Sequence, residues 1–203
     1  MPAGGPCKPM AAQKLLLHTC CAPCFSSVYE ALRDDYEVSA AYYNPNIAPL
    51  SEYMRRLAEL IVYSRKRVFK LMVEERDARG WTCAVREFRS LGERSDRCAA
   101  CIRYRLDRTF RLARDLDYPV VCTTLTVSPH KDPDMINRIG KELESRYRIG
   151  FLAADFKKEG GFARSVGISR AEGFYRQAYC GCGYSRAERM RRAAGKGAES
   201  QEH

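Results

Sequence analysis

No stretch of the 203-residue chain comes near the ~18 consecutive apolar residues that a membrane-crossing helix needs. Residues 1–13 are rich in Pro, Ala and Gly and contain no long apolar run of the kind a secretory signal carries. A cytoplasmic protein with a flexible leader over 1–13 is therefore expected. There is no internal repeat, and no low-complexity segment outside the two ends. Glycines are missing where a nucleotide-binding α/β protein would place them: the loop after the apolar segment Leu15-Leu16-Leu17-His18 reads Thr19-Cys20-Cys21-Ala22-Pro23-Cys24. Acidic residues are outnumbered too, with 25 Asp and Glu against 35 Lys and Arg, a net charge of +10. That excess favours a polyanionic partner, nucleic acid foremost, although a generically basic soluble protein has the same balance.

What the chain has in quantity is cysteine, ten in all. Disulfides are rare in a reducing compartment, so clustered cysteines there indicate metal binding or catalysis. They do cluster: Cys20, Cys21 and Cys24, then Cys98 and Cys101, then Cys180 and Cys182. Cys7, Cys83 and Cys122 stand alone and are expected to carry no chemistry, with Cys122 inside a buried strand.

At 45% hydrophobic and 30% charged residues the chain has enough apolar side chains for a sizeable core. Strand signals at 15–18, 36–43, 68–73, 120–125 and 149–153 alternate with helix signals. Helices are expected from Pro23, from a Ser51 cap, from Cys98 and from Asp132-Pro133. Ser169-Arg170-Ala171-Glu172 reads as a capping box that opens a further short helix. The alternation implies an α/β fold, a mostly parallel sheet flanked by helices, with a helical C-terminal segment. One domain is expected over 14–184, then a basic tail over 185–203 whose order the sequence leaves open.

Cys98-Ala99-Ala100-Cys101 opens a helix, which puts its sulfurs within one turn of each other. Together with Cys20 and Cys21 it makes four thiolates, suited to tetrahedral zinc or to an iron–sulfur cluster. Adjacent cysteines strain a single tetrahedral ion, whereas the wider cube can be reached by consecutive residues pointing apart. That favours the cluster and leaves zinc open. Cys24 either replaces one of the four or helps to hold a second metal. Asp155, at an expected strand end, is the carboxylate placed to join it, though a loop cap is the commoner role for such a residue. Cys180-Gly181-Cys182 bends tightly enough for its sulfurs to meet, and a disulfide across so small a ring would be strained and easily reduced. Two further metal ligands, or chance, are the alternatives.

Six segments, LHTCCAPC (17–24), YYNPNI (42–47), CAAC (98–101), TTLTVSPHKD (123–132), DFKKEGGF (155–162) and FYRQAYCGC (174–182), give the chain its resemblance. In this order they resemble the cobalamin-independent epoxyqueuosine reductases. The resemblance implies an adenine-nucleotide-hydrolase-like, Rossmann-like fold and a [4Fe-4S] cluster. It also implies reductive removal of the epoxide oxygen of epoxyqueuosine at the tRNA wobble position. By position, Cys20, Cys21, Cys98 and Cys101 would hold the cluster, and Cys180 with Cys182 would be the redox-active pair. The family further implies a metal site beside the cluster, an additional iron ion, for which Cys24 and Asp155 are the residues at hand. The implied partners are a tRNA containing epoxyqueuosine and an electron donor.

Backbone neutralisation is expected from an electrostatic patch to which Arg103, Arg105, Arg108, Arg111 and Arg114 on one helix, and Arg186, Arg189, Arg191 and Arg192 in the tail, all contribute. Tyr42, Tyr43 and Tyr175 are candidates to stack on the base, with core packing the competing role for each. His130 is a candidate proton donor, and His18 is expected to be structural. Two other readings compete. An iron–sulfur-dependent tRNA thiolation enzyme would need a phosphate loop where Cys20–Cys24 stand, and a zinc-stabilised RNA-binding module would need no chemistry at all.

Overall fold

The computed structural model describes residues 12–158 and 160–199; Cys7 and most of the expected leader lie outside them. Its strands are β1 (Gln13–His18), β2 (Tyr36–Tyr42), β3 (Leu71–Val73), β4 (Val120–Thr123) and β5 (Gly150–Phe151). They form one all-parallel sheet in the order β3-β2-β1-β4-β5. The helices are α1 (Ala22–Leu32), α2 (Leu50–Arg67), α3 (Ala78–Val85), α4 (Asp96–Asp115), α5 (Pro133–Tyr147), α6 (Gly161–Glu172) and α7 (Gly183–Glu199).

Leu15, Leu16 and Leu17 have no exposed surface, and a strand buried on both faces belongs at the centre of a parallel sheet. Successive residues of a strand point to opposite faces. Leu15 and Leu17 accordingly join the core beneath α1 and α2, with Phe25, Leu57 and Leu60. Leu16 joins the core beneath α4 and α5, with Ile102, Leu106 and Ile136. The architecture is α/β and Rossmann-like, as expected. The direction of strand addition reverses between β1 and β4, and a crevice for ligands opens at the carboxyl ends of such a pair. His18 and Thr123 face each other there.

Several local expectations are corrected. Pro49, not Ser51, stands at the start of α2. The third strand covers only Leu71–Val73, because Val68 takes a left-handed conformation that ends α2. Beyond Thr123 the chain tightens into a 3₁₀ turn, Thr124–Val127, rather than continuing as strand. The Ser169 capping box does not open a helix: Ser169 lies in the last turn of α6, where its hydroxyl donates to the Ser165 carbonyl at 2.6 Å. Gly173, with φ +69, closes that helix, a C-terminal signal that the capping-box reading passed over. Helix α3 was not expected, although Asp77 caps it by accepting from the Gly80 N–H. The basic segment from 185 to 199 continues α7 as helix.

Candidate metal centre and redox site

The loop leaving β1 is held from three sides. His18 Nδ1 lies 2.9 Å from Thr123 Oγ1. Asn44, from the turn after β2, donates to the Thr19 carbonyl at 2.8 Å, and Arg105 on α4 donates to Asn44 Oδ1 at 2.6 Å. Arg105 is thus buried as a strut under the cysteine loop and is no part of an RNA-facing patch. His18 is pushed down to about 3, by burial first and by the Arg105 charge second. Its imidazole is neutral, in keeping with a structural role.

This scaffold brings Cys20, Cys21 and Cys24 together. Their sulfurs all lie within 4.8 Å of one another, with 3.7 Å between Cys20 and Cys21. Hydrogen bonds from Cys21 and then Cys24 hold the Cys20 thiol well below its ordinary range. Donating to Cys20 raises the other two, Cys21 to about 12. Proton sharing thus limits the triad to one thiolate; a bound metal ion would replace those protons and let all three sulfurs ionise.

The second cysteine loop is anchored by α2. Arg56, buried and paired with Glu52 at 2.7 Å, donates to the carbonyls of Cys180 at 3.3 Å and Tyr179 at 3.4 Å. The Ala48 N–H donates to the Gly181 carbonyl at 2.8 Å. Gly181 has φ +114, and a Cβ there would lie 3.0 Å from Arg56 Nη1. Both the backbone conformation and the close packing require glycine between the two cysteines. Cys180 and Cys182 are free thiols. Lys131 Nζ donates to Cys180 Sγ at 3.0 Å. A hydrogen bond from Cys182 is the main cause that holds Cys180 well below the thiol range; burial opposes it, and the Lys131 charge adds to it.

Cys20, Cys24, Cys98, Cys180, His130 and Lys131 line one cavity of about 640 Å³. Each of the three cysteine groups in the sequence therefore reaches the same space. Burial raises the Cys98 thiol, and Cys101 acts electrostatically on Lys131 and Cys182. His130 is an exposed wall residue. Asp155 is not part of the sulfur triad; its carboxylate accepts from the Lys157 N–H at 3.4 Å and caps the turn. Cys83 is exposed on α3, and Cys122 is buried in β4 with its thiol pushed up to about 12 by burial, which makes it inert.

Three residues that sequence reasoning left out matter here: Lys131, Arg56 and Gln177, whose Nε2 lies 3.1 Å from Cys21 Sγ. Lys131 and Gln177 sit within the quoted segments, beside His130 and ahead of Cys180, so only their neighbours hinted at them. Lys131 contacts the Cys180 sulfur, and the charges of Arg56 and Arg105 act on Cys20 from a greater distance. Of the three only Arg56 has a carboxylate partner among the described residues. Buried cations need counter-charge, so the donor set fits an anionic, thiolate-ligated metal group.

The outer arginines of α4 are neutralised locally: Arg103 pairs with Glu142, Arg108 with Glu74, Arg111 with Asp107 and Arg114 with Asp115. Tyr42 and Tyr43 are core residues, and Tyr175 donates to Glu52 at 3.1 Å beneath the Arg55 guanidinium. None of these tyrosines lines the cavity.

A family model described as epoxyqueuosine reductase QueH matches residues 15–188. The chain belongs to the QueH family. The match runs from β1 into α7 and includes all three cysteine groups. Similar proteins include the epoxyqueuosine reductase QueH of Thermotoga maritima, 37% identical over 89% of this chain and 94% of that one. The Haemophilus influenzae protein of the same name is 36% identical over 87% of this chain and 73% of its own. That of Streptococcus pyogenes serotype M1 is 35% identical over 84% and 69%. Membership in the QueH family makes this chain an enzyme of the oxidoreductase class. No helix among the described residues is long and apolar enough to cross a membrane.

Proposed function

We propose that the chain reduces epoxyqueuosine in the anticodon of tRNA to queuosine. The observation that carries this reading is the single cavity lined by Cys20, Cys24, Cys98 and Cys180, with Lys131 on the Cys180 sulfur. Cys20, Cys21, Cys98 and Cys101 are assigned to a [4Fe-4S] cluster, and Cys24 with Asp155 to an adjacent iron ion. When bound, such a group supplies single-electron transfer and a Lewis-acidic iron for the epoxide oxygen.

The rest is the work of the chain's own residues. Opening the epoxide to the alkene releases its oxygen as water and consumes two electrons and two protons. Cys180 as thiolate and Cys182 as thiol supply both electrons and one proton on passing to the disulfide, the second proton comes from solvent through His130, and an external electron donor restores the pair. Lys131 adds its charge to the Cys182 hydrogen bond in keeping the Cys180 sulfur anionic, and His130 on the cavity wall hands a proton to the departing oxygen. Arg56 and Gly181 hold the pair in a tight loop. The catalytic domain is assigned to 14–184, from which α7 extends, and the working compartment to the cytoplasm.

The test is an anaerobic assay of the iron-reconstituted chain on tRNA containing epoxyqueuosine, with dithionite as reductant and nucleoside analysis as readout. Queuosine formation that disappears in Cys182→Ser supports the reading. A colourless, zinc-only protein that binds RNA and forms no queuosine refutes it in favour of an RNA-binding module, and ATP-dependent sulfur transfer refutes it in favour of thiolation.

A further inference from the structure

A second cavity, of about 860 Å³, lies on the other side of the first turns of α7. Its walls include Trp81 from α3, Tyr184 from α7 and the arginines Arg89, Arg97, Arg191 and Arg192. Glu188 and Arg192 line both cavities, so the two are neighbours across one turn of helix.

The lining sorts into rings and charges. Tyr184 is half-buried and lies 6.2 Å from the Trp81 ring, centroid to centroid. The Arg97 guanidinium sits 4.8 Å over Tyr184 and is fixed by its pair with Glu188 at 2.7 Å, which holds the tyrosine ring in place. The Trp81 indole N–H is buried and has no acceptor among the described residues. Arg89, Arg191 and Arg192 are exposed, and none of them forms an ion pair among the described residues. They differ in this from the paired arginines along α4, so unneutralised positive charge gathers around α7. Glu188, the one carboxylate of the lining, is already taken by Arg97.

An aromatic ring backed by a cation and flanked by free arginines is the combination that binds single-stranded nucleic acid, with a base on the ring and phosphates on the guanidinium groups. We propose that the second cavity binds a nucleotide next to the reacting one in the tRNA strand, its base against Tyr184 and its phosphate among Arg89, Arg191 and Arg192. The inference rests on the reading of the first cavity as the site of tRNA reduction. The strand would cross α7 at Glu188 and Arg192, with the reacting base on one side and its neighbour on the other. The second cavity would then select for an unpaired loop, since a stacked duplex base cannot reach the ring.

Trp81 is the only tryptophan of the chain, so intrinsic tryptophan fluorescence reports on this cavity alone. The probe is an anticodon stem-loop RNA with guanosine at the wobble position, which carries no epoxide. Saturable change in Trp81 emission is expected. Tyr184→Ala should weaken binding about 5- to 100-fold, with Tyr184→Phe restoring most of it. Arg89→Gln with Arg191→Gln should lower the slope of log affinity against log salt by about 0.7 for each phosphate that is no longer neutralised. With epoxyqueuosine tRNA as substrate, the same pair should raise KM and leave kcat near its original value. Unchanged affinity and salt slope in both Tyr184→Ala and the arginine pair would overturn the proposal, as would failure of the stem-loop to bind the unaltered chain. Binding with these signatures but no queuosine formation would leave this site standing and refute the reductase reading.

Discussion

Replacing Lys131 by Met removes the ammonium that lies 3.0 Å from Cys180 Sγ. Two unit charges at that separation attract by roughly 5.5 kcal/mol at an effective dielectric of ~20. Part of that is offset by the cost of drawing both groups out of water, and hydrogen bonds to charged groups contribute about 1.5–3 kcal/mol net. One pKa unit corresponds to about 1.36 kcal/mol, so the Cys180 thiol should rise by about one to two units. The pH at which Cys180 becomes thiolate then moves up by the same amount, and with it the onset of alkylation. The assay is iodoacetamide labelling of the reduced, anaerobic chain over a pH series, with the Cys180 peptide quantified by mass spectrometry. The midpoint should move up in Lys131→Met and stay low in Lys131→Arg, which keeps the charge. The sign for stability follows from the same shift. A thiol held below its unfolded value of ~8.5 contributes stability that is complete above that value and is lost as pH falls through the folded value. Lys131→Met should flatten that pH dependence. A Cys180 midpoint that stays in place in Lys131→Met but moves in Cys182→Ala would refute this role for the lysine, because the neighbouring thiol alone would then set it.

Cys98→Ala should lower the iron and sulfide bound per chain after anaerobic reconstitution, measured by elemental analysis; full loading would remove Cys98 from the ligand set. Arg56→Met leaves Glu52 buried without its partner, a loss of about 3–5 kcal/mol, and releases the carbonyls of Tyr179 and Cys180. Denaturant unfolding should show the loss, and faster alkylation of Cys180 should show the loosened loop. Gly140→Ala forces a methyl group into the Phe151 ring, an overpacking cost of about 1–3 kcal/mol. Tm should fall by about 2–4 °C for each kcal/mol, and an unchanged Tm would show that the ring has room to move.

Features written within a few residues were legible in the sequence. Pro23 and Asp132-Pro133 start helices where expected, because caps and proline act over a single turn. The misreadings were local conflicts of the same kind. Ser169 and Glu172 have the spacing of a capping box, but α6 had already begun at Gly161, and its packing on α1, where Ser165 donates to the Pro23 carbonyl at 2.8 Å, decides which turn Ser169 occupies. The arginines of α4 have the spacing of a basic face, yet the carboxylates that neutralise Arg103 and Arg108 come from elsewhere in the chain, which no reading of one helix could reveal.

By itself the sequence determined the α/β alternation, the central buried strand and the three sulfur-bearing segments, since each is set by side chains adjacent along the backbone. Only the tertiary structure decided that those segments meet. Strand order places β4 beside β1, so the loops that follow both strands open on the same edge. The packing of α4 and α7 then carries Cys98 and Cys180 to that edge, and Lys131 is brought across to the sulfur. Pairing between distant strands depends on the whole core at once, which is why residues more than a hundred positions apart share a cavity that no spacing rule describes.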